Sequence, residues 1–355
     1  MWKHGLFLFS ILPGLVVVGC GRSDSAGAGA GTSNTDVAAG SAPSSENAVE
    51  LLNVSYDPTR ELWKELNEKF IAQQKAAGRE ISIKQSHGGS GSQARAVIDG
   101  LEADVVTLAM WSDTDQLRKK GLIKEDWESS FPNRSLPYTS TIVFVVRKGN
   151  PKSIQKWSDL TRGGVEVITP NPKTSGNGKL AFLAAWGSVI NSGGTEEDAR
   201  SFVTQLYKQV PVLDTAARGA TTTFAQKGIG DVHLTWENEA HLEVTEAKGE
   251  LEIVFPEVSI LAEPYVAIVD TNVDEKKTRA AAEDYLKFLY TPEGQAVIAK
   301  QFYRPTDAAV LAANAASFPA INLFPVTKVA GSWEDAQVKF FADGAEFDRI
   351  YEGAR

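Results

Sequence analysis

The sequence predicts a mixed α/β protein with two doubly wound lobes. Three observations lead to this prediction. Short apolar segments alternate along the chain with amphipathic segments of helical spacing, as expected of strands separated by helices. The 355 residues are enough for two domains of ordinary size. Two segments, 137–144 and 260–266, are suited to carry the chain from one lobe to the other. They predict a hinge that the chain crosses twice, with a cleft between the lobes.

The predicted strands are short apolar runs, except that residues 80–86 alternate apolar and polar side chains. They comprise residues 51–56, 80–86, 104–109, 141–146, 165–169, 210–214, 231–235, 251–255 and 265–269. The run 104–109 is almost continuously apolar, which is typical of a parallel strand that is buried on both faces.

Helices are predicted where apolar residues recur every three or four positions. After Pro58, for example, Leu62, Leu66 and Phe70 fall on one face. Further helices are expected through residues 97–101, 180–190 and 219–224, and over 238–248, 276–290, 292–302 and 332–351. Ser332 and Asp335 suit the start of the last helix, as an N-cap and its partner. Together the elements predict one lobe from residues 49–136 with 268–355, and a second lobe from 137–267 that includes the crossings.

The N-terminus has the pattern of a secretory signal peptide. Lys3 precedes an apolar stretch, 5–18, that is too short for a stable membrane span, so residues 1–19 are predicted to be removed. The segment 17–20 resembles a bacterial lipobox and ends at Cys20, the only cysteine. Residues 20–48 are mostly Gly, Ala, Ser and Thr, which predicts a flexible tether. We therefore expect an extracytoplasmic protein that is anchored to the membrane by lipid on Cys20, the alternative being an unmodified Cys20.

Composition excludes several classes of function. The chain has 36 basic and 45 acidic residues and a net charge of −9, which argues against a nucleic-acid binder. A single cysteine excludes a disulfide framework and a multi-cysteine metal centre. The histidines lack metal-ligand spacing. We expect no metal and no cofactor.

Three predicted strands lead through a short turn directly into a helix, at 56–58, 87–90 and 174–177. Such turns line the crevice at the carboxyl ends of an open α/β sheet. Each helix start offers unpaired backbone N–H groups and the positive end of a helix dipole. One such turn is usually an ordinary helix entry. Several that converge would form a cage of neutral donors for a small anion, although the turns do not identify the anion.

Several motifs resemble those of the extracytoplasmic sulfate-binding proteins. They are LLNVSYDPTREL at 51–62, QSHGGSGSQA at 85–94, PYTSTIVFVVRKGNPK at 137–152, VITPNPKTSGNGK at 167–179, AARG at 216–219 and GIGDVHLTWENEA at 228–240. The resemblance continues in order from residue 51 to the C-terminus. It implies the type II periplasmic binding protein fold. It also implies a monomeric binding protein that delivers sulfate or thiosulfate to the permease and ATPase subunits of an ABC importer.

The resemblance also implies which residues hold the anion. They are the backbone N–H groups of Asp57, Ser90, Gly176, Asn177 and Ala217, the hydroxyl of Ser175, and the indole N–H of Trp236. Arg218 would support the site without pairing with the ion, and the Asp57 carboxylate would turn away to brace its helix start. Asn177 stands where the family commonly has glycine. Because asparagine tolerates a left-handed backbone, we expect its N–H donor to be kept.

Alternative functions fit the residues less well. A cage of donors alone suits sulfate, whereas phosphate carries a proton that needs an acceptor. Another oxyanion, such as molybdate, tungstate or phosphate, and a sensor that uses the same cleft remain alternatives. An enzyme is disfavoured, because residues 88–92 lack the last glycine of G-x-S-x-G and residues 173–180 lack the frame of a P-loop.

Overall fold

The computed structural model of the chain describes residues 48–355. The predicted signal peptide, Cys20 and all but the last residue of the predicted tether lie outside the described residues. No helix within 48–355 combines the length and the apolar composition needed to cross a membrane.

Two four-stranded sheets organise the described residues. The strands are β1 Val49–Tyr56, β2 Ile81–Gly88, β3 Val105–Leu108, β4 Tyr138–Thr139, β5 Ile142–Arg147, β6 Val167–Ile168, β7 Val232–Trp236, β8 Leu251–Val254, β9 Val258–Ile260, β10 Tyr265–Ile268, β11 Arg304–Pro305 and β12 Asn322–Phe324. The first sheet has the order β10-β3-β1-β2 and the second has the order β6-β7-β5-β8. Each sheet is mixed: β1 is parallel to β2 and β3, and β6 is parallel to β7, while β10 and β5 run antiparallel to their neighbours. The predicted two-lobed α/β architecture is confirmed.

The helices connect and cover these sheets. They are α1 Arg60–Ala76, α2 Ser90–Ile98, α3 Trp111–Lys119, α4 Pro132–Ser135, α5 Gly176–Asn191, α6 Glu196–Lys208, α7 Ala217–Thr221, α8 Glu237–Glu246, α9 Asp270–Lys276, α10 Arg279–Phe288, α11 Pro292–Lys300, α12 Ala308–Ala313, α13 Trp333–Ala336 and α14 Glu346–Ala354. The segment α4 is a single turn in which residues 133–135 have positive φ. As the apolar spacing predicts, α1 buries Leu62, Leu66 and Phe70 against the first sheet.

Short strand pairings lie near the points where the chain crosses between the lobes. β4 pairs with β11, β9 pairs with β12, and Ser140 bridges to Ala262. The first two crossings therefore lie side by side, near residues 140 and 262. β10 already belongs to the first sheet from Tyr265, three residues before the predicted start of that part of the lobe.

The C-terminal segment differs from the prediction. The sequence analysis assigned residues 268–355 to the first lobe, but α14 packs on α6, and Phe340 and Phe347 join the core around α5. Arg200 on α6 also pairs with Glu346 at 2.5 Å. The chain thus crosses between the lobes a third time and returns to the second lobe, because the apolar side chains of its last helices are buried there.

Two predicted elements were wrong. Residues 210–214 do not form a strand. This segment makes isolated bonds instead, such as Asn171 N–H to Asp214 O at 2.8 Å. The helix predicted over 332–351 is divided into α13, a π-helical turn at Gln337–Phe341, and α14. Gly344, with φ of +71°, turns the chain between the last two. The predicted cap is confirmed, since Ser332 Oγ accepts from the Asp335 N–H at 3.0 Å.

Candidate functional site

All seven residues assigned to anion binding line one pocket between the lobes. Its free volume is only about 10 Å³, close to the room that one water molecule needs, so the pocket is suited to a small ligand. It is lined by Tyr56, Asp57, Pro58, Gly88, Gly89, Ser90, Ala109, Ser175, Gly176, Asn177, Ala216, Ala217 and Trp236.

The pocket lies where helix starts from both lobes converge. The turn Asp57–Thr59, which leads into α1, and the start of α2 follow strands of the first sheet. The starts of α5, α7 and α8 come from the second lobe. The first N–H groups of a helix have no partner within the helix, and the helix dipole places partial positive charge there. The pocket therefore presents N–H donors from several directions.

Two serine hydroxyls at this site have their oxygens occupied as acceptors. Ser175 is the N-cap of α5, and its Oγ accepts from the Gly178 N–H at 3.4 Å. Ser90 Oγ accepts from the Ala109 N–H at 3.0 Å. Each hydroxyl hydrogen can therefore be donated to a ligand. Sequence reasoning found the Ser175 hydroxyl but missed that of Ser90, because its bond to Ala109 joins segments 19 residues apart.

Trp236 ends β7 and is almost completely buried, with 1% of its surface exposed. Its ring packs on Tyr56 from the other lobe, with 5.3 Å between the ring centroids. No described residue accepts a hydrogen bond from its indole N–H. The indole N–H is therefore available to a ligand in the pocket that Trp236 lines.

The charged side chains around the pocket are paired with one another. Asp57 is the only charged residue in the lining, and its Oδ1 accepts from Arg60 Nη2 at 2.6 Å. This contact agrees with the expectation that the carboxylate braces its own turn. Arg218 contacts Glu61 of α1 and Glu239 of α8, both at 2.8 Å. Burial raises the pKa of the Glu239 carboxyl, an effect that the neighbouring Arg218 guanidinium opposes.

Comparison with known proteins places these features in a family. Residues 51–304 match the family model described as bacterial extracellular solute-binding protein. The chain belongs to this family. The sulfate-binding protein of Salmonella typhimurium is 52% identical over 305 residues, which cover 85% of this chain and 93% of that protein. The thiosulfate-binding protein of Pseudomonas aeruginosa is 51% identical over 307 residues, covering 86% and 92%.

A solved structure supports the same grouping. The sulfate-binding protein SubI from Mycobacterium tuberculosis aligns with a TM-score of 0.76 and 32% identity, covering 82% of this chain and 99% of that one. The type II periplasmic binding protein fold expected from the sequence is thereby confirmed for this solute-binding protein.

Asn177 has a helical backbone conformation. It is the second residue of α5 and is not among the residues with positive φ, so its tolerance of a left-handed backbone is not needed here. Its side chain instead points toward β7, where Nδ2 donates to the carbonyl oxygen of Leu234 at 3.1 Å. The helical backbone places the Asn177 N–H in the first turn, where it lacks a partner within the helix.

Glycine allows the two lobes of this solute-binding protein to meet closely at the pocket. A Cβ on Gly176 would lie 2.9 Å from the Cβ of Ala109, which follows β3 in the other lobe. A Cβ on Gly89 would lie 3.3 Å from the carbonyl oxygen of Thr174. Larger side chains at these positions would therefore hold the lobes apart.

Protonation of His87, beside the pocket, is expected to destabilise the fold. Its Nδ1 lies 2.7 Å from Ser55 Oγ and its Nε2 contacts Gln85 Oε1. Burial, with a further effect of Arg60, lowers the pKa of His87 to about 4. Between about pH 6.5 and pH 4 the unfolded chain binds a proton that the folded protein does not, so the free energy of unfolding falls as the pH decreases.

This effect can be measured by urea unfolding at pH 7 and at pH 4.5, in the wild type and in His87→Asn. We expect the wild type to lose more stability than the variant over this interval. Equal losses of stability in both proteins would contradict the assignment of this pH effect to His87.

Proposed function

We propose that this protein captures sulfate or thiosulfate in the pocket between its lobes and delivers the anion to the permease and ATPase subunits of an ABC importer. The observation that carries the proposal is a lining without a cationic side chain, in which Ser175, Trp236 and the helix starts offer neutral donors. The names of the two relatives and of SubI support the same ligand class.

The physical basis is the protonation state of the ligand. Sulfate is a dianion near neutral pH, so every partner can be a donor. A hydrogen bond to a charged group contributes roughly 1.5–3 kcal/mol, and several are needed to offset the loss of hydration. Phosphate keeps a proton, and a pocket of donors leaves that proton without an acceptor.

The proposed site consists of Asp57, Ser90, Ser175, Gly176, Asn177, Ala217 and Trp236.

Arg218 has a supporting role in this proposal. Its guanidinium is held by Glu61 and Glu239, on helices of different lobes, so it is not free to neutralise the anion. Because Ala217 directly precedes Arg218, the same ion pairs that join the lobes also hold the start of α7 at the pocket. The anion and the ion pairs would thus favour the same closed arrangement of the lobes.

We further propose that the protein acts as a monomer without a cofactor or a metal, and without catalysis. Its signal peptide would be removed after residue 19, and lipid on Cys20 would anchor it outside the cytoplasm through the tether of residues 20–48. These proposals rest on the sequence motifs and on the extracellular family to which the chain belongs.

The decisive experiment is a titration of the protein with sulfate, thiosulfate, molybdate, phosphate and chloride, followed by tryptophan fluorescence. Sulfate or thiosulfate should give a saturable change that chloride does not reproduce. Ser175→Ala and Trp236→Phe should each weaken sulfate binding roughly tenfold, because each removes one donor to a charged ligand.

Matched controls exist in the chain. Ser332→Ala removes an N-cap serine outside the pocket, and Trp157→Phe removes an indole that donates to Val258 O at 2.7 Å. Both should leave the affinity unchanged. The proposal fails if Ser175→Ala and Trp236→Phe bind sulfate like the wild type, or if phosphate or molybdate is preferred.

A further inference from the structure

One buried side chain connects two of the parts of the pocket that belong to the second lobe, the start of α5 and strand β7. Asn177 Nδ2 donates to the carbonyl oxygen of Leu234 at 3.1 Å. The two residues are 2% and 1% exposed, so water does not compete for this bond. Asn177 belongs to the start of α5, while Leu234 belongs to β7. The bond therefore joins a helix to a strand that the sequence separates by 57 positions.

The local shape of the sheet explains why this carbonyl needs a side-chain donor. β6 has only two residues, and its last pair with β7 is Ile168 with His233. Beyond that pair, β7 has a strand neighbour only on the side of β5. A buried carbonyl without a partner is unfavourable, and among the described residues Asn177 provides the donor for Leu234.

The same stretch of β7 carries Trp236, whose indole lines the pocket. Trp236 lies two residues after Leu234, on the same face of the strand, and α8 begins at the next residue. A shift of β7 relative to α5 would therefore move the Trp236 indole relative to the N–H groups of Gly176 and Asn177. Both sets of donors line the same pocket.

We propose that Asn177 is a positioning residue, whose side-chain amide holds β7 at the start of α5 so that the Trp236 indole and the α5 donors reach one ligand. This inference rests on the proposed function and assigns the side chain of Asn177 a task separate from that of its backbone N–H.

The test is Asn177→Ala, which removes the amide but keeps the backbone N–H and suits a helix. We expect sulfate affinity to fall roughly tenfold, as for the loss of one buried hydrogen bond. The indole ¹H–¹⁵N signal of Trp236 should also shift, even in the protein without sulfate. Because the side chain acts through Trp236, the loss in the double variant with Trp236→Phe should be smaller than the sum of the single losses.

Asn191→Ala is the matched control. Asn191 ends the same helix, and its Nδ2 donates to Gly187 O at 2.8 Å, outside the pocket. This variant should keep both the affinity and the indole signal.

Several results would overturn the inference. These are an unchanged indole signal in Asn177→Ala, an unchanged affinity, or losses that are simply additive with Trp236→Phe. In the wild type, fast solvent exchange of the Asn177 side-chain amide would overturn it without any variant. A wild type that does not bind sulfate would instead reject the proposed function, since the indole shift is measured in the free protein.

Discussion

Ser175→Asp is expected to abolish sulfate binding and leave the protein folded. Aspartate is as good an N-cap as serine, so the start of α5 should still form. The new carboxylate, however, lies where a donor is needed. At about 4 Å and an effective dielectric constant of about 20, a single negative charge opposes a dianion by roughly 8 kcal/mol. Even half of this repulsion weakens binding about a thousandfold.

Calorimetric titration with sulfate and thermal unfolding measure the two parts of this prediction. Thr291→Asp is the control, because Thr291 is the N-cap of α11, where its Oγ1 accepts from the Gly294 N–H at 3.1 Å, and it does not line the pocket. Thr291→Asp should bind sulfate normally. Retained affinity in Ser175→Asp would show that the anion does not lie at the start of α5.

Gly176→Val is expected to weaken sulfate binding roughly a hundredfold, because it prevents the lobes from meeting. The expected cost in free energy is that of severe overpacking in a protein core. Even the Cβ would lie 2.9 Å from Ala109 Cβ, and the valine methyl groups would extend further. The clash is between the lobes rather than within one of them. We therefore expect the free protein to fold and to remain more open, which small-angle scattering with and without sulfate would show as a larger radius of gyration.

Gly163→Val is the control for this variant. Gly163 has an ordinary backbone conformation, and nothing lies within 4 Å of a Cβ at this position. Gly163→Val should therefore keep the affinity for sulfate and become more compact when sulfate binds, as the wild type does. Normal compaction of Gly176→Val with sulfate would refute the proposed contact.

The fold class was predictable because it depends on periodicity. Most strands of the two sheets are apolar runs in the sequence, and α1 is a stripe of apolar residues at helical spacing. Residues 210–214 show the limit of this signal. An apolar run becomes a strand only if another strand is available beside it, and here β6 ends after two residues.

The candidate site was predictable for a different reason. Strand–turn–helix junctions mark the carboxyl ends of strands, so residues such as Ser90 and Ser175 are recognisable one by one. The family resemblance then selects the junctions that line one pocket in the structure. Ala109, which also follows a strand, fits the same rule and was overlooked because no glycine marks its turn.

The amino-acid sequence by itself determined the alternation of strands and helices, the helix starts that offer N–H donors, and the family to which the protein belongs. These properties depend on local periodicity and on short motifs. Only the tertiary structure decided that α14 packs on the second lobe, that the cations near the pocket are already paired, and that Asn177 reaches across to Leu234. Each of these contacts joins residues far apart in the chain, and burial selects them only once the lobes have formed.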